Sequence, residues 1–95
     1  MNTAEILKHV DHTLLKPIAT WEDIQKICDE SIEYNTASIC IPSCYISRIN
    51  EKYGDKVNIC TVVGFPLGYS TTEAKVLEAK QAIENGANEI DMVIN

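Results

Sequence analysis

The sequence predicts an α/β fold, a partial TIM-type (β/α)8 barrel of about four parallel strands and three crossover helices behind a short N-terminal helix. Extended and helical signals alternate along all 95 residues. The β–α–β spacings, roughly 20 to 30 residues, suit parallel strands joined by right-handed crossovers. The strands themselves alternate in polarity. Asp11 and Thr13 alternate with His12 and Leu14; Thr36, Ser38 and Cys40 with Ala37, Ile39 and Ile41; Glu89, Asp91 and Val93 with Ile90, Met92 and Ile94. A doubly wound sheet has helices on both faces and reads as unbroken apolar runs, whereas a barrel keeps small and polar groups around its interior. The alternation favours the barrel, with the doubly wound sheet as the rival.

Thr3 is placed to cap a short amphipathic helix reaching about Val10, and Asp11–Leu15 reads as a strand halted at Lys16-Pro17. Thr20 is a good N-cap with Glu22 and Asp23 in the first turn, and Ile24, Ile27, Cys28 and Ile32 give helical spacing from Trp21 to Tyr34. Ala37–Ile41 is the second strand, ended by Pro42. Ser43 can then cap a helix carrying Tyr45, Ile46, Ile49 and Tyr53 to Gly54. Val57–Val63 is the strongest strand signal, and Gly64-Phe65-Pro66-Leu67-Gly68 must be loop. Ser70 with Glu73 offers a capping box for a helix turning Ala74, Leu77, Ala82 and Ile83 inward and closing at Asn85-Gly86. Glu89–Asn95 is the last strand.

Hydrophobic residues make up 45% of the chain and charged ones 23%, the profile of one small globular domain. A net charge of −6 argues against a phosphate-backbone binder, so no nucleic-acid partner is expected. No run suits a membrane span, and Met1–Glu5 opens without a secretory signal, which points to the cytoplasm. Cys28, Cys40, Cys44 and Cys60 show no zinc-like spacing and read as reduced, mostly buried thiols. His9 and His12 lack a third ligand, so no metal site is expected.

Acids inside strands need a reason, because a buried carboxylate is costly unless paired. Asp91 and Asp11 are two such acids. A proton relay in a polar barrel interior and a structural salt bridge to a lysine such as Lys16 both account for them. Lys16 follows the first strand, where barrel enzymes place working groups, but from sequence alone a solvated loop lysine is the favoured reading. Cys40 reads as a small buried hydrophobe rather than a nucleophile, since no motif ties a histidine to it. Gly64–Gly68 lacks the Lys-Ser/Thr of a P-loop, and no G-x-G-x-x-G occurs, so nucleotide folds lose support.

Four blocks carry a resemblance: Asp11–Pro17, Ala37–Pro42, Val62–Gly68 and Gly86–Asn95. In order and spacing they resemble the deoxyribose-phosphate aldolase family. The resemblance implies a TIM-barrel class I aldolase that reversibly cleaves 2-deoxy-D-ribose 5-phosphate to D-glyceraldehyde 3-phosphate and acetaldehyde, through a lysine Schiff base and with no metal or other cofactor. It makes Asp91 an acid of the proton relay and Asp11 the first-strand acid supporting the lysine network. Thr13, Cys40, Val62 and Phe65 would line the substrate pocket, with Lys16 beside it. None of the seven lysines stands in the nucleophile's motif, so the Schiff-base lysine and the phosphate-binding loops are expected beyond Asn95. Residues 1–95 then form a single domain, the N-terminal half of a barrel, inactive alone. A self-assembling half-barrel with no catalytic duty is the alternative. Unpaired edges on the first and last strands, with the apolar row Ile90, Met92 and Ile94, predict a homo-oligomer.

Overall fold

Sequential parallel pairing organises the chain, which a computed structural model describes from residue 2 to residue 94. Strands β1 (Asp11–Thr13), β2 (Ser38–Cys40), β3 (Ile59–Val63) and β4 (Glu89–Met92) lie in the order β1-β2-β3-β4. Between them run α2 (Trp21–Tyr34), α3 (Ile46–Tyr53) and α4 (Thr72–Asn85), preceded by α1 (Thr3–Leu7). Every neighbouring pair is parallel and no strand is skipped, which is the winding of a barrel wall rather than of a doubly wound sheet with its reversal of strand order. The fold is therefore four strands of a (β/α)8 barrel.

Register sorts the side chains into two faces, since paired residues of parallel strands project to the same side. Asp11–Ser38, Thr13–Cys40, Cys40–Cys60 and Val62–Asp91 are partners on one face; His12–Ile39, Ile39–Ile59, Thr61–Ile90 and Val63–Met92 are partners on the other. The second face holds the core. Ile39, Ile41 and Ile59 cluster with Ile24 and Cys28 of α2, Ile46, Ile49 and Tyr53 of α3, and Ala82 of α4. Each fully buried isoleucine contributes about 1.5–3 kcal/mol of burial free energy. Thr61 is buried on this face, its hydroxyl donating to the Ile41 carbonyl at 2.8 Å.

Several element ends differ from the sequence reading. The strands are shorter than Asp11–Leu15, Ala37–Ile41, Val57–Val63 and Glu89–Asn95, because the ladder is only as long as its shortest partner; Asn95 lies outside the described residues. Asn2, not Thr3, caps α1, accepting from the Glu5 N–H at 2.9 Å. Thr20 forms the expected cap on α2, with Asp23 reaching back to its N–H at 2.9 Å. Ser43 caps nothing; a 3-10 turn over Ser43–Tyr45 leads into α3. Thr71, not Ser70, caps α4 by accepting from the Ala74 N–H at 3.2 Å. That helix turns Ala82 into the core, with Ala79 and Lys75 half-buried on the same i, i+4, i+7 row. Ala74, Leu77 and Ile83, expected to face inward, are exposed, the last two by 58% and 59%. Ile32 of α2 is likewise exposed, and the buried residue on that turn is Ser31.

Two measurements check this packing. Thr71→Ala should cost about 0.5–2 kcal/mol in denaturant unfolding, while Ser70→Ala stays within about 0.5 kcal/mol. The second is alkaline stability. Burial, then the nearby Asp29, pushes the Cys28 thiol from its ordinary 9.0 up to about 11. Burial, then Asp29, which accepts from the Tyr53 hydroxyl at 3.0 Å, pushes that phenol from 10.0 up to about 12. Both raised groups favour the folded state while protonated, so their contribution is complete below about pH 9 and is lost as pH rises from about 9 to 12. Tyr53→Phe should flatten the upper part of that decline; an unchanged profile would show that Tyr53 does not contribute.

Candidate active site

The helix-free rows of the register, those of Asp11, Cys40, Cys60 and Asp91, build the candidate site. Cys40 and Cys60 are direct partners on β2 and β3, and Asp91 pairs with Val62 on β4. The two Sγ atoms and a carboxylate oxygen of Asp91 all lie within 4.8 Å of one another. Both thiols are buried while Asp91 is exposed, so the cluster opens through its carboxylate. Burial, chiefly, pushes the Cys60 thiol far up, with Cys40 and Asp91 adding to the shift. Burial again leads for Cys40, helped upward by the Asp91, Asp11 and Glu89 carboxylates. Neither sulfur is a ready thiolate, in keeping with the reading of Cys40 as a buried hydrophobe.

Asp11 is held by the Ser38 hydroxyl, which donates to its Oδ1 at 2.6 Å. Asn58 bridges the same face lower down, donating to the Ala37 carbonyl at 3.2 Å and to Glu89 Oε2 at 2.7 Å. Thr13 is in register with Cys40, but its hydroxyl donates to the Asp11 carbonyl at 2.9 Å. The alternative in which Lys16 neutralises Asp11 or Asp91 is not realised. Among the described residues no lysine or arginine lies within ion-pair distance of a carboxylate, and the one imidazole–carboxylate contact is His12 Nε2 with Glu30 Oε1 at 3.2 Å, on the helix-packed side. Lys16 instead lines a shallow cleft with Leu14, Asp23, Lys26, Ile27 and Glu30. Its charge adds to the lowering of Asp23, whose carboxyl is held down mainly by the Thr20 backbone and side-chain hydrogen bonds.

Phe65 sits apart from the cysteine cluster, in the loop after β3. That loop encloses a cleft of about 210 Å³ lined by Gly64–Ser70 and Glu78. Gly64 donates to Glu78 Oε1 at 2.8 Å, Gly68 to the Gly64 carbonyl at 2.8 Å, and Lys75 Nζ to the Gly68 carbonyl at 2.7 Å. Gly68 has φ +77°, and a Cβ there would collide with the Ile94 carbonyl and the Val93 side chain. The structure thus gathers Asp11, Cys40, Val62 and Asp91 on one face, puts Thr13 at its edge, and leaves Lys16 and Phe65 in separate clefts. Sequence reasoning missed Cys60 and Ser38; the signal available for them was their odd-even phase within predicted strands. No helix is long and apolar enough to cross a membrane, among the described residues.

Comparison with known proteins fits this arrangement. A family model described as DeoC/LacD family aldolase matches residues 6–95. A deoxyribose-phosphate aldolase of Clostridium botulinum (strain Alaska E43 / Type E3) is 83% identical over 95 residues, covering all of this chain and 43% of that protein. One from Clostridioides difficile (strain 630) is 60% identical over 90 residues, 95% of this chain and 41% of its own length. The tetrameric deoxyribose phosphate aldolase of Aeropyrum pernix superposes with a TM-score of 0.90 at 34% identity, over 96% of this chain and 39% of that one. The chain spans about two fifths of the length of the relatives it matches.

The burial pattern makes one chemical prediction. Cys44 is exposed and should alkylate with iodoacetamide in the native state, whereas Cys28, buried and with its thiol near 11, should react roughly 10²-fold more slowly or less. Peptide mapping after brief labelling reads this; equal labelling of Cys28 and Cys44 would contradict the packing of α2.

Proposed function

The chain belongs to the DeoC/LacD family of aldolases, and from that premise we propose that it supplies the N-terminal half of the barrel of a deoxyribose-phosphate aldolase. The reaction is the reversible cleavage of 2-deoxy-D-ribose 5-phosphate to D-glyceraldehyde 3-phosphate and acetaldehyde. A lysine elsewhere in the whole protein forms an imine with the substrate carbonyl, and the imine draws electrons from the breaking C–C bond. The observation that carries this reading is Asp91: a carboxylate on the helix-free face, next to two thiols and with no ion-pair partner among the described residues. Such a group is free to hold and pass the proton that the enamine carbon takes up.

Asp11, pinned by Ser38, supports the lysine network from the first strand with a fixed negative charge. Val62, Cys40 and Thr13 shape the pocket wall, while Phe65 lines the neighbouring cleft of the loop after β3. The strand face supplies acids and surface but no nucleophile, so residues 1–95 are inactive alone. Association with further copies belongs to the same proposal, supported by the tetrameric relative. Four free cysteines fit a reducing cytoplasm.

In the intact protein, acetaldehyde and borohydride should leave one adduct on a lysine after residue 95, and Asp91→Asn should lower turnover by about 10² or more. An adduct on Lys16, or near-normal turnover of the Asp91 variant, would overturn the assignment. The 95-residue chain given the same treatment should keep its mass, because an unperturbed lysine is mostly protonated at neutral pH.

A further inference from the structure

Cys40, Cys60 and Asp91 come from three different strands and twenty or more residues of separation, so no ligand spacing along the chain announces them. Parallel register makes them neighbours, and the chemistry of the trio is that of a soft-metal site. We propose that they bind one thiophilic divalent cation, Zn2+ or Cd2+, on the helix-free face of the sheet.

The geometry is close to what such an ion requires. A tetrahedral Zn2+ with Zn–S near 2.3 Å holds two sulfurs about 3.8 Å apart. The donor atoms here lie within 4.8 Å of one another, so closing the site takes about 1 Å or less. Two thiolates with one carboxylate make three protein ligands, and the exposed side of Asp91 leaves room for a water in the fourth position. Electrostatics favour the ion as well. Register puts three carboxylates on this face, Asp11 beside Ser38, Glu89 beside Cys60 and Asp91 beside Val62.

Binding is a balanced exchange: the cation gains two S–M bonds and one O–M bond, and the two thiol protons pass to the buffer. No electrons move. If Asp91 relays a proton as proposed above, the bound ion would occupy it and inhibit; that consequence rests on the proposed function, whereas the site itself does not.

The test is a Cd2+ titration of the intact protein, kept reduced without added thiol, followed by the ultraviolet thiolate-to-metal band and by equilibrium dialysis. The wild type should bind one more Cd2+ per chain than Cys60→Ala. Asp91→Asn should keep the band but weaken binding about tenfold or more, as expected when a ligand carboxylate is lost. Cys28→Ala, which removes a thiol of equal burial on the other face, should bind like the wild type and controls for loss of folding. Equal stoichiometry in wild type and Cys60→Ala, or equal loss in Cys28→Ala, would overturn the site. Because the readout is metal bound and not turnover, a catalytically idle Asp91 would leave these outcomes unchanged.

Discussion

Parallel register is the constraint on which the other features depend. With side chains alternating at a period of two, pairing Asp11 with Ser38, Cys40 with Cys60 and Val62 with Asp91 fixes every other residue of the sheet. A slip of one residue would bury Asp91 and Asp11 against the isoleucines of α2 and α3, and would turn Ile39 and Ile59 out. The core and the candidate site are therefore two sides of one choice. Burying the isoleucine face is what makes the polar face available.

The polar face is strongly biased in charge. It carries Asp11, Glu89 and Asp91 with neutral partners Ser38 and Asn58, while the lysines lie elsewhere: Lys16 beside α2 and Lys75 tied to the loop after β3. Carboxylates so arranged gain from cationic groups placed opposite them, and a barrel closes by bringing other strands to that interior. The lysine chemistry proposed for the intact protein and the proposed soft-cation site would be two ways of meeting the same negative field.

Much of this was legible in the sequence because it rests on local rules. The 2.0 period in Asp11–Leu14 and in Glu89–Ile94 separated the faces, and Trp21–Tyr34 was marked at its start by the Thr20 cap; Asn35, which closes it at φ 53°, was not read as a stop. What escaped depended on tertiary detail. Two adjacent hydroxyl residues, Ser70 and Thr71, compete to cap α4, and only the path of the preceding loop selects Thr71. Leu77 and Ile83 have the spacing of an inward face, but close approach to the sheet selects the alanines instead. Cys60 sits in a continuous β-prone run whose composition does not mark it; its proximity to Cys40 and Asp91 exists only once three strands are aligned.

The separation of the sheet into a packing face and a working face is tested most directly by the crystal structure of the intact protein after borohydride trapping with acetaldehyde. The expected result is a reduced adduct on a lysine that enters the polar face, with the Asp91 carboxylate within about 2.6–3.2 Å of its reacting atoms or one water away. An adduct lying on the helix-packed side, near His12 or Lys16, or an Asp91 carboxylate turned away from it into an ion pair, would contradict the assignment of the two faces.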